Sequence, residues 1–175
     1  MPRARHALLA ALLAVTPASG AQALLVKGGK AEATRFCAAY ACRKSADVPG
    51  VLGTQRAYRL KGATAPGLVV REKNGRVNAV TLLILRPSRL PDASMKHMLG
   101  RVLPDFQAST LGGRHAFLVS KQCLRSPTRN KTVKVQGRAY KFTCAYNDPG
   151  VVASFRRAYA LGQKDDVISV TYALP

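Results

Sequence analysis

The stretch Leu68–Leu85, LVVREKNGRVNAVTLLIL, decides the fold. Asn74-Gly75 lies between two runs of strand-forming residues, and Asn-Gly readily takes the two positive φ angles of a type I′ turn. Leu68–Glu72 and Arg76–Leu85 are therefore expected to pair as an antiparallel β-hairpin. The apolar run that starts at Val77 and ends in Leu82–Leu85 belongs to the second arm. Its most apolar part, Val80–Leu85, has the length of a strand and is far too short to span a bilayer.

The pattern extends outward in both directions. Gln55–Lys61 (QRAYRLK) reads as a preceding strand. After Pro91, the residues Met95, Met98, Leu99, Val102 and Leu103 recur at helical spacing, with Asp92 as the expected N-cap and Pro104 as the expected stop. This predicts one amphipathic helix over about 92–103. A methionine stripe can serve as an adaptable binding face, but at this spacing packing into a core is the commoner use. From Ala116 onward the pattern returns to strands: Ala116–Cys123, Val133–Val135, Ala139–Tyr146, Val151–Tyr159 and Val167–Leu174. The expected class is α+β, mainly antiparallel sheet with that single helix.

The two halves share short motifs. Phe36-x5-Cys42-x2-Ser45 matches Phe117-x5-Cys123-x2-Ser126, and Arg56-Ala57-Tyr58-Arg59-Leu60 matches Arg138-Ala139-Tyr140-Lys141-Phe142. Pro66-Gly67-Leu68-Val69 matches Pro149-Gly150-Val151-Val152. Ala79-Val80-Thr81 aligns loosely with Ser169-Val170-Thr171. Arg-Ala-Tyr recurs at Arg157-Ala158-Tyr159, so part of the agreement reflects abundant residue types. A duplication would make two pseudo-repeated sheet units, roughly 30–85 and 112–174. That outline resembles the tandem-repeat secreted inhibitors of β-lactamases, which stack two helix-plus-sheet units and carry two disulfides. The likeness is one of architecture: their repeat-opening sequence is absent, and no functional residue is carried across.

The first 23 residues read as an export signal. Arg3 and Arg5 form a basic n-region, Ala7–Val15 (ALLAALLAV) a short apolar core, and Ala21-Gln22-Ala23 a small-x-small cleavage pattern. Residues 24–175 are then expected to form a single exported globular domain, periplasmic, envelope-bound or extracellular, with no transmembrane segment. Export makes Cys37, Cys42, Cys123 and Cys144 candidate disulfide formers. The favoured pairing is Cys123–Cys144 with Cys37–Cys42 as a local bridge. Five positions along an α-helix rise about 7.5 Å, too far for a disulfide, so the local bridge requires a turn. Zinc is disfavoured, because C-x4-C followed by C-x20-C lacks tight paired knuckles.

Composition sets the functional question. The chain has 28 Lys and Arg against eight Asp and Glu, a net charge of +20. Loss of Arg3 and Arg5 with the signal would leave +18 on the remainder. Eight carboxylates leave little for a carboxylate-built metal cage or a paired-acid active site. No acid occurs between Asp105 and Asp148, whereas Arg114, Lys121, Arg125, Arg129, Lys131, Lys134, Arg138 and Lys141 all fall there. These eight are the candidate polyanion-binding residues, since phosphate or other anionic groups attract such a surface with counterion release. The competing account is an ordinary solvated charged face.

Arg56, Tyr58 and Leu60 share one side of their strand, as do Arg138, Tyr140 and Phe142. Interleaved aromatics and cations can stack bases, but tyrosines that share a face with Leu are expected to pack into the core. For catalysis the remote candidates are His97, His115 and Lys121, as acid, base and phosphorane-stabilising groups of a small ribonuclease-type phosphodiesterase. No phosphate-cradling glycine motif, serine-nucleophile elbow or cofactor motif is present, and no cofactor is expected. The expected role is a non-enzymatic exported binding protein for an anionic polymer or anionic envelope surface. A secreted protein–protein module, an inhibitor or envelope adaptor, is the alternative from another class.

Overall fold

The computed structural model describes residues 23–50, 53–61, 67–85, 91–112, 129–146 and 167–175. The architecture is α+β. Seven strands form one antiparallel sheet in the order β1-β2-β3-β4-β7-β6-β5. They are β1 (Arg43–Gly50), β2 (Gly53–Arg59), β3 (Gly67–Lys73), β4 (Arg76–Leu85), β5 (Arg129–Val135), β6 (Arg138–Tyr146) and β7 (Val167–Ala173). The expected hairpin is β3–β4, and Asn74 and Gly75 have φ of 53° and 72°, as a type I′ turn requires. A second two-residue turn, Gln136-Gly137, joins β5 to β6 with φ of 50° and 76°.

The apolar run of β4 has its reason in this order. β4 lies between β3 and β7, in the middle of the sheet, and both of its faces are covered. Leu82, Leu83 and Ile84 are all 0% exposed. Alternate side chains point to opposite faces, so burial of all three requires both faces to be dry. Each such side chain contributes about 1.5–3 kcal/mol relative to exposure. The outer strands are protected differently. β1 carries Pro49, a break in register between Lys44 and Ala46, and a Lys44–Asp47 ion pair. β5 exposes Asn130, Lys131, Thr132 and Lys134. Charge, proline and irregular register each discourage edge-to-edge pairing.

The helices pack on one face. α1 (Leu24–Lys27) and α2 (Arg35–Tyr40) precede the sheet; α3 (Asp92–His97) runs through a π turn (Met98–Val102) into α4 (Leu103–Leu111). The last three make one continuous helix of 20 residues. Its methionine stripe is core: Met98 and Leu103 are fully buried, and Met95 and Leu99 pack against the same cluster. Rings link the layers, with Phe106 of α4 lying 5.8 Å from Phe36 of α2 and 5.9 Å from Tyr172 of β7. Tyr172 then meets Phe142 of β6 at 5.2 Å.

Two expectations about the helix are corrected. Asp92 is its first residue, and no side-chain bond caps this end. Pro104 does not stop the helix but sits in the first turn of α4. A proline ring normally collides with the carbonyl four residues back, here that of Gly100, and supplies no N–H for that bond. Gly100 lies inside the π turn, whose wider backbone loop accommodates the ring and lets the helix continue to Leu111.

Cys37 and Cys42 are bridged, with Cα atoms 4.7 Å apart. The turn this distance demands follows the helix: Cys37 lies inside α2, Ala41 adopts left-handed φ of 46°, and Cys42 swings back over the last turn. The Cys42 N–H donates to the Cys37 carbonyl at 3.1 Å, closing the helix end. At the other end of α2, Thr34 Oγ1 accepts from the Cys37 N–H at 3.1 Å. Cys144 is also disulfide-bonded, and Cys123 lies outside the described residues.

The described strands do not confirm a repeat. Four strands come from the first half and three from the second, and Pro149–Val152, the proposed match to the start of β3, falls outside the described residues. So do the expected strands Ala116–Cys123 and Val151–Tyr159, and the export signal up to Gln22. Leu24 and Leu25, which follow the expected cleavage point, are core residues. No helix among the described residues is long and apolar enough to cross a membrane.

Candidate anion-binding cleft

Paired residues on neighbouring strands share a face, so the register defines rows that cross the sheet. Tyr58, Leu68, Val80, Tyr172 and Phe142 belong to rows facing the helices. The opposite face carries three successive rows. One end has Arg59, Gly67, Leu83, Ser169 and Ala145. The middle row has Ala57, Val69, Thr81, Thr171 and Thr143, with Thr81 and Thr171 joined through their hydroxyls at 2.8 Å. The third has Gln55, Arg71, Ala79, Ala173, Lys141 and Thr132. The face is buried at Leu83 and Ser169 and opens towards the third row, where Lys141 is exposed and Arg71 half-buried.

A cleft of about 960 Å³ opens there. Arg71, Lys73 and Arg76 of the β3–β4 hairpin line one side, Lys141 of β6 lines the other, and Asn74, Asn78 and the end of β7 complete it. Among the described residues no acidic side chain lines it. Two local features produce this. First, the β3–β4 register steps from Arg71↔Ala79 to Glu72↔Val77, which leaves Asn78 as a bulged residue beside Ala79. Secondly, ordinary alternation along β3 turns Glu72 to the helix side, where its carboxylate meets the Arg56 guanidinium at 2.9 Å. The hairpin's single acid is thus spent on the far face, and its three cations stay together. The Leu174 N–H, donating to the Asn78 carbonyl at 2.9 Å, ties the bulge to the chain beyond β7.

Two buried polar atoms in this region have no hydrogen-bond partner among the described residues: Arg71 Nε and Asn78 Oδ1. Gln55 Oε1, in register with Arg71 on β2, is a third. Unpaired buried donors and acceptors cost about 1–3 kcal/mol each, and a ligand gains that amount where the Arg71 and Asn78 side chains, both only partly buried, turn these atoms outward to meet it.

The eight cations expected from the acid-free interval are distributed as follows. Arg114, Lys121 and Arg125 lie outside the described residues, as does His115. Arg129 opens β5. Lys131, Lys134, Arg138 and Lys141 are exposed on the β5–β6 hairpin, but strand alternation divides them. Lys134 and Lys141 belong to the open face, whereas Lys131 and Arg138 belong to rows facing the helix side. Of those described, only Lys141 lines the cleft. His97 is exposed at the end of α3.

The aromatic residues of the Arg-Ala-Tyr strands are core residues: Tyr58 and Tyr140 are each 1% exposed. Burial and the neighbouring Glu32 carboxylate, to which the phenol hydrogen-bonds, push the Tyr58 pKa up to about 12, against the pull of Arg56. Tyr40 donates to Asp105 Oδ2 at 3.0 Å, and burial together with that carboxylate raises its pKa to about 12 as well.

Sequence reasoning missed Arg71, Lys73, Arg76 and Asn78. The local signal was the hairpin tip Arg71-Glu72-Lys73-Asn74-Gly75-Arg76, three cations around a tight turn. Its meeting with Lys141 depends on the β4–β7–β6 pairing, which no local pattern announces. Comparison with protein-family models, with curated proteins and with solved structures finds no match to the chain.

Proposed function

We propose that this is an exported, disulfide-bonded, strongly basic binding protein that engages an anionic polymer and performs no catalysis itself. The observation that carries the reading is the cleft, where four cations converge and no acidic side chain joins them among the described residues. Lys134, one row further along the same face, extends the positive field. The surplus of cations over acids across the whole chain draws anions to the protein and accelerates encounter. The Cys37–Cys42 bridge is compatible with export, since such bonds persist in oxidising compartments. Ligands that carry many charges suit a shallow, many-cation site better than single small anions do, because each neutralised charge releases a condensed counterion.

The test is salt dependence. Retention on immobilised heparin should fall steeply between about 50 and 200 mM salt. Neutralising the cleft in a Lys73→Gln, Arg76→Gln, Lys141→Gln variant should weaken binding and flatten the log–log slope by roughly two to three. Retention that ignores salt, or an unchanged slope in the triple variant, would refute the reading.

A further inference from the structure

The cleft contains more than charge, and its chemistry bears on the class of polymer. We infer that its occupant is a hydroxylated acidic glycan, a chain of sugars carrying carboxylate or sulfate groups, rather than a nucleic-acid strand; this rests on the anion-binding reading above.

Three observations converge. Arg71 and Lys141 stand on one row with three interstrand steps between them, about 14 Å at the usual strand spacing. The two positions between them are Ala79 and Ala173. Ala79 is buried, so Ala173 is the small side chain that lines the cleft between its two banks of cations, and an extended chain can lie across it with anionic groups reaching either side.

Among the described residues no aromatic side chain lines the cleft. Tyr58, Tyr140, Phe142 and Tyr172 are all at most 1% exposed, within the core on the helix side. Proteins that hold single strands without regard to sequence do so by stacking bases on aromatic rings, and the described residues of this cleft offer none.

The unpaired atoms call for a ligand of mixed character. Arg71 Nε requires an acceptor and Asn78 Oδ1 requires a donor. A DNA backbone offers acceptors only. A sugar unit with a free hydroxyl beside a carboxylate offers both within one residue. The cleft's volume of about 960 Å³ is at the upper end of ordinary ligand pockets and suits a short run of such units.

The experiment titrates the protein recovered after export with three probes of equal charge: an oligogalacturonate, a single-stranded deoxyoligonucleotide and a single-stranded oligoribonucleotide. Each is measured at low and moderate salt. Asn78→Ala removes the acceptor without changing charge, and Ala173→Leu raises the floor without touching a polar group. The melting temperature of each variant verifies folding. The expected result is oligogalacturonate binding at least about tenfold tighter than either oligonucleotide, since a well-matched polar group left unpaired is heavily penalised. Asn78→Ala should lose about tenfold on the glycan and less than about twofold on DNA. Ala173→Leu should weaken the glycan in the same manner.

Equal binding of all three probes, or variants that affect them equally, would overturn the glycan assignment while leaving polyanion binding intact. Tighter oligonucleotide binding would also overturn it. Failure of every probe to bind would overturn both readings.

Discussion

Tyr58 allows the packing of the sheet against the N-terminal segment to be measured by titration. Its phenol is buried and beside Glu32, so its pKa rises from the ordinary 10.0 to about 12. The folded state therefore keeps a proton that the unfolded chain releases at lower pH. The associated stability is fully present below about pH 10, declines as pH rises above that value, and is lost as pH passes through 12. At about pH 11.5 this linkage removes about 2 kcal/mol, a substantial share of a typical stability of 5–15 kcal/mol. An opposing effect runs in parallel: lysines lose charge near pH 10, which relieves the repulsion among the surplus cations and favours the compact state. Comparison with Tyr58→Phe cancels the lysine contribution, because both proteins share it. Urea unfolding of the two proteins from about pH 8 to 11.5 should show the wild-type advantage shrinking by roughly 2 kcal/mol across the upper part of this range. Difference absorbance of tyrosinate, compared with the Tyr58→Phe and Tyr40→Phe variants, should show Tyr58 and Tyr40 ionising well above the ordinary 10.0. A difference in stability that stays flat with pH, or tyrosines that all ionise together near 10, would refute the account.

Two further outcomes test the α2 corner. Replacing both Cys37 and Cys42 by Ala opens a loop with a sequence separation of five and should cost about 2 kcal/mol of unfolding free energy, read from the urea midpoint. Ala41→Gly should instead stabilise by about 0.5–1 kcal/mol, because Ala41 holds a left-handed φ of 46° that glycine adopts without its Cβ penalty; a lowered midpoint would contradict this.

Legibility divides along the range of the interactions. Asn74-Gly75 is read locally and places β3 and β4, and the two-sided apolar run Val77–Leu85 announces a central strand. The spacing of Met95, Met98 and Val102 places the helix and its buried stripe. Pro104 misleads because the rule that prolines end helices assumes an α-turn behind the ring, and the π turn containing Gly100 removes the collision. Ala41 misleads similarly: alanine gives no sign of a left-handed corner, although the distance between Cys37 and Cys42 demands one nearby. The candidate cleft was least legible. Arg71 and Lys141 share a row only through β4 and β7, and the bulge that brings Asn78 to the cleft leaves no local mark. An acid-free interval in sequence marks charge density, whereas strand alternation decides which of those charges share a surface.

The place of β7 in the sheet has a kinetic consequence. β4 is completed early in the chain, yet the neighbour that covers its second edge lies about 90 positions later, as the Thr81–Thr171 contact records. While the chain is being made, the β1–β4 portion presents a long, unpaired and strongly apolar edge that nothing local can satisfy. Closing so large a loop delays the final assembly, and sheets built on such distant pairings fold slowly. For as long as that delay lasts the nascent chain is at its most vulnerable to aggregation. Mutations that weaken β7 should therefore reduce yield before they alter anything the finished molecule binds.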